Sequence, residues 1–400
     1  MKLTKDDIIT SKEEPPLSLF SQGIKSDETR RKYLQTLRQV LCKMLEDILE
    51  GDFEQRVEQL VRYGKEDPIW TRDLLLSLSR KIRERTTLPR DHPAYLNPIS
   101  FAGYFKPIKK LFDMNDVNIS WKRLYVTYPE LDNVSDTRGW EREEIQQILK
   151  QATNPIDRAI ILVAASSGIR IGGFMMRWKD LTPIYKTDKG LTFEAGDNGK
   201  LACAMLRIYG GTSAHYPTFI TPEAYDAIQE YKKVWIKDIG RSPRPDEPLF
   251  KQVRSPPKMI THISIVKRVH RMILKAGLRD ISRKYNRRFD VPMMNGFRRF
   301  WNKTCKESTS KESPLASLIK KEFMMGHSGL VKLDRNYFKT HVLELAEEYI
   351  AAVGELTIDD NARLRQTNIL QSALIRKMES DKEHRIRKLE DIVSALSDRV

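Results

Sequence analysis

One stretch constrains the fold of this chain more than any other. Asn154 and Pro155 read as an N-cap followed by a proline at the first helical position. The helix running from there to Ser167 is apolar nearly all round. A helix with no polar face has no side to turn to water, so it is buried inside a domain. Gly168 ends it, and Arg170 stands at the start of the next short helix.

The periodicity on either side of this helix sorts the chain into segments. Residues 1–20 mix Lys, Glu and Pro and read as a flexible arm. Ser26 or Asp27 caps a helix that carries Tyr33, Leu34, Leu37, Val40, Leu41, Met44, Leu45 and Ile48 at spacings of three and four, with Gly51 as its stop. Further helices are expected around 57–63, 72–85 and 100–112, so 21–120 forms a helical domain. The periodicity lapses after Asn118, and 121–138 reads as a linker with Pro129 inside it. A second domain spans 139–345 and opens on the amphipathic segment 141–152. Strands are expected only in its middle, at 191–195, 201–209 and 216–220, with Gly210-Gly211-Thr212-Ser213 as a turn. Thr221-Pro222-Glu223 starts another helix. Ser313-Pro314 begins one that Gly326 ends, leaving His327 just past its C-terminus. The remainder, 346–400, reads as a charged helical extension in which Leu389, Ile392 and Leu396 fall at near-heptad spacing, too few for a sustained coiled coil. The fold class is mainly α with a small antiparallel β-sheet.

Composition narrows the class of partner. The chain has 400 residues, 40% hydrophobic and 31% charged, enough for a sizeable core. Lys and Arg number 70 against 54 Asp and Glu, a net charge of +16 that suits a polyanion, because basic side chains displace counterions from phosphates. The three cysteines, Cys42, Cys203 and Cys305, form no CxxC or Cys/His cluster, so neither a disulfide framework nor a zinc site is indicated, and a reducing intracellular compartment fits. The first residues lack the apolar run of a secretory signal, and Ala159 to Ala165 is too short to span a bilayer. Arg80, Lys81, Arg83, Arg85, Lys106, Lys109 and Lys110 fall on or beside helices of the first domain; they suit either a solvated face or a surface turned to nucleic acid.

Four residues carry a specific chemistry when taken together. A phosphodiester bears negative charge on two oxygens, and the charge grows in the five-coordinate transition state. Arginine matches it with a planar fork of donors that stays charged. Arg170 and Arg298 could clamp both oxygens, and such preorganised electrostatics is usually the largest catalytic term. His327 could hold or shuttle a proton at the same phosphate. Tyr337 offers a phenolic oxygen that can attack phosphorus and keep the strand end as an ester, so rejoining needs no ATP. No metal or other cofactor is called for. Each residue alone has a plainer reading: an arginine after a buried helix as an ion-pair partner, a histidine after glycine as a helix cap, a tyrosine as packing.

In this order, Ser167-Gly168-Ile169-Arg170, Asn295-Gly296-Phe297-Arg298, Met325-Gly326-His327-Ser328 and Arg335-Asn336-Tyr337-Phe338 resemble the active site of the tyrosine recombinases, the phage-integrase family. Family members carry a Gly-x-Arg after a buried helix, then a small sheet, a His-x-x-Arg-type motif, a Gly-His pair and the nucleophilic tyrosine about ten residues later. The resemblance covers about 135–345. It makes 21–120 a DNA-binding, core-binding domain and 139–345 the catalytic domain. It implies cleavage and rejoining of double-stranded DNA through a 3′-phosphotyrosine at Tyr337, a Holliday junction and a homotetramer on DNA, in the cytoplasm at the nucleoid and with no membrane. Two positions depart from the family's pattern. Asn295 stands where the pattern has histidine or lysine; it can hydrogen-bond but cannot act as acid or base. The segment Ile208–Ser213 lacks the hairpin lysine that protonates the leaving oxygen, and Lys200 substitutes only if the hairpin is differently registered. The Tyr-x-Gly-Thr hairpin and the Asn-Gly-Phe-Arg motif point to archaeal or mobile-element members. Two alternatives stay open: DNA relaxation of the type IB topoisomerase kind, and a DNA-binding protein with impaired catalysis.

Overall fold

The computed structural model describes residues 14–89, 92–131, 137–252, 256–279, 291–308, 313–327 and 338–364, with 378–379, 382–383 and 385–386 beyond them. These residues fall into two compact units, one up to residue 131 and one from 137 onward.

The first unit is wholly helical. Helix α1 spans Pro16–Gln22, α2 Asp27–Gln39, α3 Phe53–Glu66, α4 Pro68–Glu84, α5 Pro98–Met114 and α6 Trp121–Tyr125. Ser26 caps α2 by accepting from the Thr29 amide. The helix expected to run on to Ile48 instead loosens into a π-helical turn, Val40–Met44, and Ile48 is exposed. Asp52 and Gln55 close a reciprocal capping box on α3. Leu37, Leu41, Val57, Leu60, Leu75, Phe101, Phe105 and Ile108 fill one core.

Two boundary expectations are corrected here. Residues 16–20, expected within the arm, belong to α1: Pro16 starts the helix, and Phe20 is fully buried in the core beneath α5. Residues 1–13 lie outside the described residues. Part of the expected linker is likewise folded, because Leu124 on α6 is buried and Trp121 and Tyr128 pack on the same core. Of the basic residues on these helices, Arg80, Lys81, Arg83 and Lys106 are exposed, whereas Arg85 donates to the Ala94 carbonyl and Lys109 to the Tyr125 hydroxyl.

The second unit packs helices around a small curled sheet. Helix α7 spans Arg142–Lys150 and α8 Pro155–Ser167, followed by 3-10 turns at Ile171–Phe174 and Trp178–Asp180. Strands β1 Leu181–Thr187, β2 Gly190–Thr192, β3 Lys200–Ile208 and β4 Tyr216–Ile220 form an antiparallel sheet in the order β2-β1-β3-β4. Then come α9 Pro222–Ile239, α10 His262–Lys275, α11 Met293–Glu307, α12 Pro314–Met324 and α13 Val342–Leu356. Thr221 and Ser313 cap α9 and α12 as their sequences predict. Helix α8 is buried along almost its whole length, packed on α9 and α11. Its one buried charge, Asp157, is matched by Arg268 of α10 at 2.7 Å. Among the described residues no helix is long and apolar enough to cross a membrane.

Strand β1 escapes sequence reading for a physical reason. Only Ile184 in it is buried, so it shows no alternation, and Pro183 argues against a strand with neighbours on both sides. The proline is tolerated because β2 pairs only with Tyr185–Thr187; opposite Pro183, β1 has a partner only in β3, at Ala204. The strand expected at 191–195 is shorter, ending at Thr192.

The boundary at residue 345 also moves. Tyr349, Ala352, Val353, Leu356 and Ile358 all lie in the core of the second unit, because α13 turns a continuous apolar face onto α11, α12 and β3. Glu223 accepts from the Ile358 and Asp359 amides and Gln146 donates to the Ile358 carbonyl, fixing the segment after α13. The near-heptad leucines beyond it lie outside the described residues.

Candidate active site

The site is built at the end of α8. Gly168 closes that helix with φ +58, a conformation that disfavours side chains, and a Cβ there would lie 2.8 Å from the Trp301 ring on α11. The last carbonyls of α8 are held from two directions. Thr218 of β4 donates to Ser167, and Tyr349 of α13 to Ser166. The chain therefore leaves the helix at a fixed point, and Arg170 emerges two residues later with its side chain exposed.

Arg298 approaches the same point from α11. It is buried, and its Nη1 donates to the Gly168 carbonyl at 2.7 Å. Its Nη2 donates to the Met325 carbonyl at 2.7 Å and lies 2.8 Å from His327 Nε2. Arg170 reaches over the same turn, with Nη1 at 3.5 Å from the Met325 carbonyl and 3.4 Å from that of Gly326. Arg170, Arg298 and His327, from three separate segments, thus meet around residues 325–326.

The turn itself follows from the way α12 ends. Gly326 has φ +67; its amide donates to the Phe323 carbonyl, and the His327 amide donates to the Glu322 carbonyl. This pair of bonds is a Schellman motif. A Cβ on Gly326 would come within 2.4 Å of the Tyr216 ring, so the position is closed to other residues by space as well as by φ. The motif also sets His327 Nδ1 2.5 Å from Glu322 Oε2, and the other carboxylate oxygen lies 3.1 Å from Lys306 Nζ.

The electrostatics are unbalanced. Burial, and then the like charge of Arg170, push the Arg298 guanidinium below its ordinary value. Among the described residues neither arginine forms an ion pair with a carboxylate. Glu322 is held below the usual carboxylate range: burial pushes it up, but hydrogen bonds from His327 and Lys306 outweigh that. The Tyr216 hydroxyl is buried within electrostatic reach of both arginines; burial raises it, and the two guanidinium groups oppose the rise. Among the described residues the two neighbouring guanidinium groups thus stand without a carboxylate partner, and a buried charge such as that of Arg298 is costly until something neutralises it.

Other expected residues stand differently. Asn295 is exposed on α11, one turn before Arg298 and on its side of the helix. Lys200 does not join the cluster. It opens β3, exposed, whereas the site borders the strand's other end, where Tyr209 packs against Gly172; at ~3.3 Å per residue the two ends are about 26 Å apart. Tyr337 lies outside the described residues. Sequence reasoning missed Glu322, Lys306 and Tyr216. Glu322 had a readable signal, since the residue four before a helix-ending glycine faces the residue after it in a Schellman motif. Lys306 and Tyr216 had none, being brought in by packing.

No family model matches the chain, and no curated protein matches it. Among solved structures it is similar to XerH site-specific recombinase bound to difH substrate, at 14% identity over 89% of this chain and 96% of that one, with a TM-score of 0.42. It is similar also to XerA recombinase, at 12% identity over 89% and 97%, TM-score 0.34. The Tn1549 transposon integrase in complex with circular intermediate DNA matches at 14% identity over 77% and 98%, TM-score 0.39. Likeness at this level carries no conclusion about what the chain does.

Proposed function

We propose that this chain is a tyrosine recombinase that cuts and rejoins duplex DNA at specific sites. The observation that carries the reading is the convergence of Arg170 and Arg298 on one turn, with no carboxylate paired to them among the described residues and with His327 in contact. A phosphodiester supplies the missing negative charge. Its two free oxygens take the two guanidinium groups, and the attraction grows as charge builds in the transition state. Tyr337, ten positions past His327, is the proposed nucleophile. Its oxygen bonds to phosphorus, the bond to the 5′ oxygen breaks, and the strand end is held as a 3′-phosphotyrosine. The freed 5′ hydroxyl of a partner strand reverses the step, so the exchange passes through a Holliday junction. Pairing two duplexes calls for four copies of the chain. The first unit, with Arg80, Lys81, Arg83 and Lys106 exposed, would contact DNA beside the catalytic unit, and the protein would work in the cytoplasm at the nucleoid.

A pool of nicked duplexes incubated with the protein tests this. An SDS-resistant protein–DNA complex forms, and Tyr337→Phe abolishes it. A wild-type protein that never forms the complex ends the proposal. One second reading has specific support: with Asn295 at the acid–base position and Lys200 remote from the arginines, the chain would bind DNA without cutting it. Salt-sensitive binding without any adduct is its signature. Relaxation of a plasmid in the absence of strand exchange would instead mark a topoisomerase.

A further inference from the structure

His327 is the residue whose protonation decides what the site can do, and the structure fixes that protonation through its neighbours. Arg298 has no lone pair, so its 2.8 Å contact with His327 Nε2 requires the nitrogen to be the acceptor. The proton of the neutral ring then sits on Nδ1, where Glu322 accepts it at 2.5 Å. Among the described residues, the other charged groups near the ring are cationic. Arg298 and Lys306 come from α11, the latter acting through Glu322, and Arg170 reaches the carbonyl next to the ring from the end of α8. The remaining titratable neighbour, Tyr216 on β4, lies under Gly326. Among the described residues Glu322 is therefore the anion that sets the imidazole against this positive field.

We propose that Glu322, keyed in place by Lys306, is the positioning residue of this centre: it holds His327 in the Nδ1–H tautomer and turns the Nε2 lone pair toward Arg298 and the phosphate between them. The inference rests on the reading of the site as a phosphodiester centre. A phosphate oxygen that draws Nη2 of Arg298 away from the ring frees the lone pair at Nε2. The ring then enters the reaction as a proton acceptor, with its orientation already fixed by the turn.

Selective 15N labelling of histidine in the full chain reads the tautomer directly, with His327→Gln to assign the signal. The wild-type ring shows a protonated Nδ1 and a bare Nε2. In Glu322→Ala the Nδ1 proton loses its acceptor and exchanges faster with water, and single-turnover cleavage of nicked duplex falls about ten-fold or more with DNA affinity unchanged. Glu322→Gln keeps the Nδ1–H tautomer, because its amide oxygen still accepts, and brings the cleavage rate back toward wild type. This isosteric variant carries the test if the alanine variant does not fold. A wild-type ring protonated at Nε2, or a Glu322→Ala protein with unchanged Nδ1–H exchange and rate, overturns the proposal. If the wild type cleaves no DNA, the recombinase reading fails on its own, and the tautomer still decides the role of Glu322.

Discussion

Arg170 and Arg298 share one chemistry but differ in what surrounds them, and the difference separates function from stability. Arg170 is exposed and makes only two long contacts to carbonyls. Arg170→Ala is expected to lower the cleavage rate about a hundred- to a thousand-fold. Its unfolding free energy should stay within about 0.5 kcal/mol of wild type. Arg298 is buried and serves the carbonyls of Gly168 and Met325, which mark the ends of two helices. Arg298→Ala removes the same transition-state charge and also leaves those acceptors unmet, at about 1–3 kcal/mol. Urea unfolding beside an adduct assay checks both; an Arg298→Ala protein as stable as wild type would contradict this account of how α8 is tied to the turn after α12.

The elements that carry the site are themselves held by polar contacts of very different depth. Lys321 of α12 and Glu348 of α13 face each other at 3.2 Å, both almost fully buried, with the Ser317 hydroxyl donating to the same carboxylate oxygen. Removing one partner strands the other in a dry core, so Glu348→Ala should cost about 3–5 kcal/mol by urea unfolding, far more than an exposed pair is worth. A change under 1 kcal/mol, on the order of a surface pair, would mean that water reaches Lys321. Near the surface, the loop after α9 is braced by Arg241, whose fork grips both oxygens of Glu247 at 2.5 and 2.8 Å. Those hydrogen bonds pull Glu247 from 4.5 to about 2 against a small opposing effect of burial. A carboxylate lowered by folding adds stability above its unfolded value and loses it as the pH falls through the folded one. The stability difference between wild type and Arg241→Ala should therefore be constant at neutral pH, shrink below about 4.5 and vanish near 2. A difference that persists at pH 2 would rule the charge pair out as its source.

At the scale of the whole chain, two units each close their own core, and the net charge of +16 lies mostly in the second, because residues 1–135 carry 23 Lys and Arg against 21 Asp and Glu. Charge of this size does not stabilise a fold; it suits a polyanionic partner. Affinity for duplex DNA should fall linearly with salt on logarithmic axes, with a slope of about 0.9 per phosphate contacted. Fluorescence anisotropy between low and physiological salt measures the slope, and affinity indifferent to salt would remove DNA as the partner.

What the sequence settled by itself is what depends on residues a few positions apart. The caps at Ser26, Thr221 and Ser313 and the helix stops at Gly168 and Gly326 rest on hydrogen bonds within one turn, so their signals are short and legible. The all-apolar run before Gly168 likewise declared its own burial. The order of Arg170, Arg298 and His327 could be read only as a resemblance. That these side chains meet at one turn was decided by α8, α11 and α12 packing together. Tertiary packing also drew Phe20 into a core from a segment that looks like a loose arm, let Pro183 sit in a strand with an open side, and made α13 part of the second unit. Such contacts join residues at no fixed spacing. They are chosen by which buried faces fit one another, and that exists only once the chain has folded.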